Sequence, residues 1–432
     1  MTICDRNDLL MSIVAIILLH IYFELLVGNC RIVNFVTINT CAMESLYRFF
    51  RQKLEDTSTD YIRTIHNKIE WDDRLVAITG ARGVGKSTLV LQHIKLYEDI
   101  KDVLYVSADN IYFSANTLFG LAEQFYTNGG KALYIDEIHK YDGWSQEIKN
   151  IYDTYSKLKI CYTGSSILDL EKGGADLSRR KLEYKVHGLS FREYISIKYG
   201  TEVPVHSLEQ ILANNIEFPY SSYRPVALFK EYLQEGYYPF VKEKGYYLRL
   251  NSIIQKILEE DIPQYAELSV STVQKLKKLL YIIAQSVPFK PNYSKLALEL
   301  NLNRNFVSDL VIWLEKAQII NTLRSHTQGI SSLGKVDKVY LNNTNLAYTL
   351  SDTLPDKGNL RETIFLALTK PLYPVTSAQT GDFKIGDYTF EVGGKNKTQK
   401  QIQRVPNAYI VKDDIEYGFN NILPLWAFGL LY

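Results

Sequence analysis

The sequence predicts an α/β fold with a parallel sheet at its centre, because short apolar runs alternate with helical patterns. The run Leu75–Thr79 enters a glycine-rich loop, and the helical segment STLVLQHIKLY follows directly. The runs Val103–Ser107, Ala132–Ile135 and Ile160–Thr163 have the length and the apolar character of buried strands. Strands that alternate with helices form a parallel sheet with helices on its faces. We therefore expect these four runs to lie in one sheet.

The glycine-rich loop reads GARGVGKS and is a full match to the P-loop pattern GxxxxGK[ST]. Between a strand and a helix, such a loop turns its backbone N–H groups around phosphates, and the helix N-terminus favours negative charge. Lys86 would reach the β- and γ-phosphates, and Ser87 would bind Mg²⁺. ATP and Mg²⁺ are therefore the predicted cofactors. The candidate nucleotide-binding residues are Gly80, Arg82, Gly83, Val84, Gly85, Lys86, Ser87 and Thr88.

Two acids, Asp136 and Glu137, follow the apolar run of the third predicted strand. Ligands of α/β proteins bind at this carboxyl end of the sheet. We expect Asp136 to hold Mg²⁺ through water and Glu137 to orient or polarise the attacking water. After the next strand, Thr163 is the first candidate for a polar contact with the γ-phosphate or that water, and Ser165 is the second. An ordinary exit from the strand into a turn is the competing interpretation.

Length and composition limit the class of protein. The chain has 432 residues, which exceeds one ordinary hydrophobic core and predicts two or three domains. The net charge of +1 creates no global attraction to nucleic acid or membranes, so such binding requires a local patch. Only Cys161 lies beyond residue 41 among the four cysteines, so the body of the chain has no disulfide framework. This pattern predicts a cytoplasmic protein.

The first 42 residues differ from the remainder of the chain. Leu9–Gly28 is apolar and about long enough to span a bilayer, but it contains His20 and Glu24, which are costly in hydrocarbon. The residues before it lack the positive charge of a signal peptide. Three interpretations stay open: a single membrane anchor, a signal peptide, and upstream sequence before a true start at Met43. The change in composition at Met43 favours the third.

Several stretches carry a resemblance to a known family. They are GARGVGKSTLVLQHIK, YIDEIHKYDGWSQEIKNIYD, CYTGSS, DLSRRKLEYKVHGLSFREYI, EYLQEGYYPF and IEYGFNNILPLWAFGLLY. In these stretches the chain resembles prokaryotic AAA+ ATPases that carry a C-terminal domain of unknown function with a restriction-endonuclease-like fold. The resemblance covers nearly everything after Met43 and implies hydrolysis of ATP. The P-loop is a generic motif, whereas the other stretches are specific to the family.

The resemblance implies a further catalytic residue in DLSRRKLEY. Arg180 matches the arginine that follows the sensor strand in the family, with Arg179 as the fallback. It is expected to act as an arginine finger on the γ-phosphate of a neighbouring subunit, or within its own chain. The competing interpretation is that these arginines pair with acids such as Asp176 or Glu183 on a solvated face.

A helix-turn-helix pattern follows the nucleotide-binding part. Ser294–Leu300 and Arg304–Lys316 have helical spacing, and Ile319–Arg324 and Val336–Leu341 could form the strands of a wing. The family resemblance also implies a winged helix here. The side chains that could contact DNA are Arg304, Asn305, Ser308, Lys275, Lys277 and Lys278. The carboxylates that would repel phosphate are Asp309 and Glu315. This balance leaves double-stranded DNA binding and protein docking both open.

The last part of the chain resembles a restriction-endonuclease-like metal site. Glu362 lies in a helical pattern, and Asp382 and Glu391 are predicted on neighbouring strands, where they could bind a second Mg²⁺. Such a site has a lysine two residues after the glutamate, where this chain has Gly393. Lys395 is the nearest substitute. The pattern is therefore broken, and an inactive nuclease-like domain is the simpler interpretation.

The predicted organisation has four parts. Residues 1–42 are the apolar extension, 43–247 an AAA+ core with a helical lid, 248–345 a winged helix, and 346–432 a small α/β nuclease-like domain. The predicted function is ATP hydrolysis coupled to an unknown DNA or protein partner, with a homo-oligomer as a further expectation. The alternatives are a slow ATP-gated switch that docks a protein, and an ATP-regulated DNA nuclease.

Overall fold

The computed structural model describes residues 43–165, 177–220, 222–325, 336–351 and 353–432. The predicted N-terminal extension lies outside the described residues, so its three interpretations remain open. Within the described ranges, no helix has both the length and the apolar character needed to cross a membrane.

The first sheet has five parallel strands in the spatial order β2-β3-β4-β1-β5. They are β1 (Leu75–Gly80), β2 (Val103–Ser107), β3 (Ala132–Asp136), β4 (Lys159–Ser165) and β5 (Leu182–Val186). Every residue of β1 and β3 is buried, which explains their unbroken apolar sequences. The α/β fold and the four predicted strands are confirmed. The edge strand β5 has no apolar run, because most of its residues are exposed.

Helices pack on this sheet through apolar stripes. They are α1 (residues 43–56), α2 (Lys86–Tyr97), α3 (Leu118–Thr127) and α4 (Trp144–Thr154). In α1 the buried residues Met43, Leu46, Phe50 and Leu54 recur every three or four positions, which places them on one helix face. Phe50 stacks on Tyr105 of β2 with ring centroids 6.2 Å apart, so this face of α1 belongs to the core.

A group of helices follows the sheet and leads to the region over the P-loop. They are α5 (Phe191–Tyr199), α6 (Leu208–Leu212), α7 (Pro225–Glu235), α8 (Tyr246–Lys256) and α9 (Ile262–Ala266). A capping box between Ser190 and Glu193 begins α5. A π-helical turn, Ile257–Asp261, joins α8 to α9. The predicted boundary after residue 247 therefore falls inside α8.

The next part contains three helices and a two-stranded antiparallel sheet. These elements are α10 (Val270–Gln285), α11 (Tyr293–Leu300), α12 (Arg304–Lys316), β6 (Ile320–Arg324) and β7 (Val336–Leu341). Helix α12 has the predicted bounds, and its buried stripe is Val307, Leu310, Val311 and Leu314 as expected from their spacing. The assignment of these elements to a winged helix stays a prediction.

The last part contains α13 (Thr344–Leu350), α14 (Lys357–Thr369) and a second sheet in the order β12-β11-β10-β9-β8. Its strands are β8 (Val375–Ser377), β9 (Phe383–Ile385), β10 (Tyr388–Gly393), β11 (Ala408–Lys412) and β12 (Ile422–Pro424). Strands β10, β11 and β12 are parallel, whereas β8, β9 and β10 pair antiparallel. The nuclease-like assignment of this mixed sheet stays a prediction.

The end of the chain returns to the helices beside the P-loop. The backbone N–H of His206 donates to the carbonyl of Leu430 at 2.9 Å, and the Tyr432 hydroxyl lies 3.4 Å from the Gly188 carbonyl. A Cβ placed on Gly429 would come within 2.4 Å of the Phe191 side chain, so only glycine allows this close approach. The last residues therefore pack against the part of the chain that follows β5.

Candidate nucleotide site

The P-loop lies between the carboxyl end of β1 and the start of α2. Gly85, the last residue before α2, has a φ of 92°, which an L side chain rarely adopts. A Cβ on Gly80 would lie 2.3 Å from the carbonyl oxygen of Val186 on β5, so a larger residue cannot replace it without moving the strand. The local backbone explains why glycine is required at these two positions of the motif.

Lys86 is buried at the base of the loop. Its Nζ donates to the carbonyl oxygens of Gly80 at 3.1 Å and Ala81 at 3.0 Å. Burial lowers the pKa of this ammonium, while Glu137 and Asp136 act in the opposite direction. The two carboxylates therefore favour the charged form that a phosphate contact requires.

Asp136 accepts hydrogen bonds from hydroxyl groups on three neighbouring elements. Ser87 Oγ donates to Asp136 Oδ1 at 3.0 Å, and the Tyr105 hydroxyl donates to Oδ2 at 2.8 Å. Thr163 Oγ1 also donates to Oδ1. The structure thus brings Ser87, Asp136 and Thr163 together, as the sequence predicts. Tyr105 was missed, because nothing in the run VLYVS distinguishes a site tyrosine from a core tyrosine.

Glu137 has an unusual backbone conformation beside this cluster. Its φ is 51°, and its N–H donates to Thr163 Oγ1 at 3.1 Å, so Thr163 contacts both acids. Burial raises the pKa of the Glu137 carboxyl, and the nearby Lys86 opposes that shift. A raised pKa suits a group that must accept a proton near neutral pH.

His139 lies against Glu137 and contacts the end of β4. The backbone N–H of Ser165 donates to His139 Nδ1 at 3.3 Å, and His139 Nε2 lies 3.4 Å from Glu137 Oε2. Burial lowers the pKa of this imidazole to about 4, so the ring is neutral at physiological pH. A neutral ring that accepts at Nδ1 carries its proton on Nε2, where it faces the Glu137 carboxylate. Ser165 therefore contributes through its backbone rather than its hydroxyl.

The π-helical turn contacts the P-loop through a buried carboxylate. Arg82 Nη1 lies 3.1 Å from both Asp261 oxygens, although the two residues are 179 positions apart. Lys140 Nζ reaches Asp261 Oδ1 at 3.3 Å, and the Asp261 side chain is only 1% exposed. Arg82 was predicted to bind nucleotide, and Asp261 was not predicted at all. One of three consecutive acids in ILEEDIPQ gives no sign of this long-range pair.

Apolar side chains of the same region cover the glycines of the loop. A Cβ on Gly83 would lie 2.8 Å from Ile253 of α8 and 3.6 Å from Tyr238 and Phe240. Pro239 lies against Gly85 in the same way. The segment that starts after α7 and runs through α8 is therefore packed directly on the P-loop.

We expect Asp261→Asn to lower the free energy of unfolding by about 2–3 kcal/mol, because two cations lose a buried anionic partner. The measurement is urea-induced unfolding of the variant and of wild type. Glu260→Gln is the matched control, since this neighbouring carboxylate is exposed and forms only a 3.8 Å pair with Lys256. Equal losses in the two variants would show that the contact with the P-loop contributes nothing specific.

Arg63, a buried arginine before β1, also contacts the P-loop. Arg63 Nη1 donates to the carbonyl of Val84 at 3.1 Å, and Nη2 donates to the carbonyls of His187 and Gly188 at 3.0 Å. Its Nε donates to Glu193 Oε1 at 2.9 Å. Arg63 was not predicted, because an arginine before an apolar run is common and its partners are distant in the chain.

Arg180 lies away from the P-loop of its own chain. Arg180 precedes β5, and β5 begins opposite Val76 of β1. The P-loop follows the carboxyl end of β1, roughly 13 Å along the strand from Val76. Arg180 Nε lies 3.2 Å from Asp153 Oδ1, an acid that was not among those predicted. Asp176 lies outside the described residues, and Glu183 pairs with Lys181. The geometry does not support an arginine finger within the same chain, and the contact across subunits stays a prediction.

In the last part of the chain, Glu391 lies on β10 and Asp382 directly precedes the neighbouring strand β9, but a different lysine reaches the glutamate. Strand β10 ends at Gly393, and Lys395 lies in an exposed turn. The chain then turns back so that Lys397 pairs with the Glu391 carboxylate. Lys397 therefore takes the place that the sequence analysis assigned to Lys395.

The charges around this acid pair are compensated by protein groups. Asp382 Oδ2 accepts from the N–H of Val392 at 2.9 Å, and Lys338 Nζ lies 3.7 Å from Asp382 and 3.3 Å from Glu362. Among the described residues, no group of three or more His, Cys, Asp or Glu side chains is arranged to hold a metal ion. The predicted second Mg²⁺ site and the nuclease activity stay predictions.

The predicted DNA-binding face is less available than the sequence indicates. Lys275 donates to the carbonyl of Asn301 at 3.0 Å, Lys277 pairs with Glu259, and Lys278 donates to the carbonyl of Glu299 at 3.3 Å. A second correction concerns Glu315, which helical spacing places on the exposed face of α12. It points toward β6 and α14, where it accepts from Thr322, Arg324 and Lys370.

Comparisons with known families agree with this geometry. Residues 72–195 match the family model described as an AAA domain, and they include the P-loop, both acids and β5. The resemblance to AAA+ ATPases is therefore confirmed, and this part of the chain is a P-loop nucleotide-binding domain of the AAA type. Residues 226–357 match a domain of unknown function, DUF8612, which begins in α7 and ends at the start of α14.

A curated relative and several solved structures are similar to parts of this chain. Uncharacterized protein MJ1637 of Methanocaldococcus jannaschii is 29% identical over 265 residues. That alignment covers 57% of this chain and 56% of the relative, so the chain spans little more than half of the relative's length.

The solved structures are more distant. AMPPCP-bound DnaA of Aquifex aeolicus is 15% identical with a TM-score of 0.28, covering 62% of this chain and 86% of DnaA. PCH-2 of C. elegans is 13% identical with a TM-score of 0.25 (64% and 66% covered). NtrX of Brucella abortus in complex with ADP is 16% identical with a TM-score of 0.23 (63% and 67% covered).

Proposed function

We propose that this chain hydrolyses ATP to ADP and phosphate at the P-loop. The observation that supports the proposal most is the hydrogen bond between Ser87 Oγ and Asp136 Oδ1, with Glu137 next in the chain. This hydrogen bond joins the hydroxyl of the P-loop to the acid at the carboxyl end of β3. This is the arrangement that phosphoryl transfer with a metal-bound nucleotide requires.

The oxygen donors at this edge fit Mg²⁺. Ser87 and Asp136 offer a hydroxyl and a carboxylate, which are ligand types that this hard cation prefers. These two residues would hold the ion, which when bound neutralises charge on the phosphates. Lys86 would move from the carbonyls of Gly80 and Ala81 to the phosphate oxygens, and the N–H groups of the loop would surround them.

Glu137 is the proposed base. A water molecule attacks the γ-phosphorus, the bond to the oxygen that bridges the β- and γ-phosphates breaks, and the proton of the water passes to the Glu137 carboxylate. Thr163 positions the two acids because it donates to Asp136 and accepts from the N–H of Glu137. The neutral ring of His139 lies beside the Glu137 carboxylate, with Nε2 3.4 Å from Oε2.

Two features of the proposal concern other chains. Arg180 would serve a nucleotide held by a second copy of this chain, which makes a homo-oligomer the expected active form. The work coupled to hydrolysis would be done on a DNA or protein partner. With Lys275, Lys277 and Lys278 engaged by protein atoms, the local positive patch for DNA is weak.

The test is steady-state phosphate release by the full chain with ATP, with and without Mg²⁺ and with and without duplex DNA. We expect Mg²⁺-dependent turnover that Lys86→Ala abolishes, because the variant loses the phosphate contact of the ammonium. ATP binding without turnover under all these conditions would contradict hydrolysis and would favour the ATP-gated switch. Stimulation by duplex DNA would identify the partner class.

A further inference from the structure

A cavity of about 670 Å³ lies between β5, α12, β6 and the end of α14. We refer to it as the β5 cavity and define it by Lys185, Glu315, Lys316, Gln318, Arg324 and Lys370. None of its lining residues belongs to the P-loop. Its volume is within the range of small-molecule sites. We propose that the β5 cavity binds a small phosphorylated molecule at a site separate from the P-loop.

The charge of the lining favours an anion. Four of the defining side chains are cationic, and Glu315 is the single carboxylate among the residues that line the cavity. Glu315 is already engaged, because Lys370 Nζ lies 3.1 Å from Oε1 and Arg324 Nη2 lies 3.1 Å from Oε2. The carboxylate therefore holds two cations in position and leaves an excess of positive charge in the cavity.

Lys185 is the cation with the fewest competing partners. It extends from the sheet edge, and within the described ranges its ammonium group forms no hydrogen bond or ion pair. Partial desolvation, and then the charge of Lys370, lower the pKa of Lys185. A bound anion would oppose both effects, so it would stabilise the ammonium form.

An independent observation concerns two unpaired donors in the wall of the cavity. Gln318 is only 7% exposed, and its Nε2 is buried without a hydrogen-bond partner among the described residues. Arg324 Nε is also buried, and it has no hydrogen-bond partner in the part of the chain that the structure describes. Both atoms are N–H donors, and an unsatisfied buried donor costs free energy that an acceptor recovers. Phosphate oxygens are acceptors, so they fit the charge of the cavity, and a small rotation of these two side chains would bring the unpaired donors to them.

The shape of the cavity favours a small ligand over a nucleic acid. Its walls come from the edge strand of the first sheet, from α12 with β6, and from the end of α14. Tyr237, Ile312 and Pro371 add aromatic and apolar surface that a phosphate alone would not fill. A phosphorylated organic molecule would contact both the cationic and the apolar side chains. A nucleic-acid duplex binds to an open surface instead.

The test is isothermal titration calorimetry of the full chain with inorganic pyrophosphate, with Lys86→Ala present in every sample to disable the P-loop. We expect binding that Lys185→Gln weakens about tenfold or more, because the ligand loses one charge-assisted contact. Lys185→Arg should restore most of the affinity. Lys101→Gln is the matched control, since it removes the same charge before β2 at the opposite edge of the sheet.

Three outcomes would overturn the proposal. One is the absence of pyrophosphate binding at millimolar concentrations, and another is equal affinity of the Lys185→Gln and Lys101→Gln samples. The third is displacement of pyrophosphate by a duplex oligonucleotide whose phosphate groups are at a lower concentration than those of pyrophosphate. That result would assign the cavity to nucleic acid. Because the side chain of Lys185 makes no hydrogen bond in the described residues, its replacement should leave the unfolding curve unchanged, and that curve checks the fold.

Discussion

Glu137→Gln is expected to lower the rate of phosphate release by about 10²–10⁴-fold while ATP still binds. The amide has nearly the same shape as the carboxylate, but it cannot accept the proton of the attacking water. Lys86, Ser87 and Asp136 keep their places, so the phosphate contacts of the ground state remain. The measurement combines steady-state phosphate release with the dissociation constant of a fluorescent ATP analogue.

The matched control is Glu70→Gln, which makes the same chemical change at an exposed position before β1. The pH profile adds a second readout. Because the pKa of Glu137 is raised, its protonated form accumulates at a higher pH than for an ordinary glutamate, and the wild-type rate falls as the pH drops through that value. A variant that retains wild-type turnover would remove Glu137 from the chemistry and leave ATP binding as the supported activity.

Arg63→Ala is expected to lower the free energy of unfolding by about 3–5 kcal/mol, because a buried ion pair loses one partner. The side chains of Arg63 and Glu193 are 8% and 2% exposed, and their closest atoms are 2.9 Å apart. The variant also leaves the carbonyls of Val84, His187 and Gly188 without their donor. Urea-induced unfolding, followed by tryptophan fluorescence, measures the loss.

Lys68→Ala is the control for this variant, since Lys68 is exposed in the same short turn. Arg63→Lys should recover little, because an ammonium cannot reproduce the fork of a guanidinium. Replacing both partners by apolar residues should cost less than Arg63→Ala alone, since no buried charge is left unpaired. A loss no larger than that of Lys68→Ala would contradict the structural role.

The ion pair also predicts a pH dependence. Burial alone would raise the pKa of Glu193, but Arg63 and backbone N–H groups hold it below its usual value. A carboxyl whose pKa is lower in the folded state contributes its full stability above the pKa of the unfolded chain. That contribution is lost as the pH falls through the lowered folded value. Arg63→Ala should therefore differ least from wild type under strongly acidic conditions.

One of these variants changes the proposed base and the other changes a support of the P-loop, but only Glu137 could be predicted from the sequence. Glu137 follows an apolar run and the motif lies upstream at the expected spacing, so local pattern and chemistry identify it. Arg63 stands in TDYIRTIHNK, where nothing local separates it from a surface arginine. Its importance comes from four acceptors that lie 21 to 130 positions away in the chain.

The same distinction explains the corrections in the last part of the chain. Strand periodicity places Lys395 on the face of Glu391 only if the strand continues, but β10 ends at Gly393. The turn that follows brings Lys397 to the glutamate instead. Glu315 shows the same effect, because helical spacing places it near the exposed face while Lys370 and Arg324 draw it toward the interior.

The sequence by itself determined strands β1 to β4 of the first sheet, the P-loop, the two acids and the bounds of α12. These features depend on interactions within a few residues, such as apolar runs, glycine conformations and helical spacing. Only the tertiary structure decided that Tyr105 and Thr163 share Asp136, that Asp261 contacts Arg82, and that Lys185 faces a cation-rich cavity. Those contacts join residues distant in sequence, because packing of the helices on the two sheets sets which side chains meet.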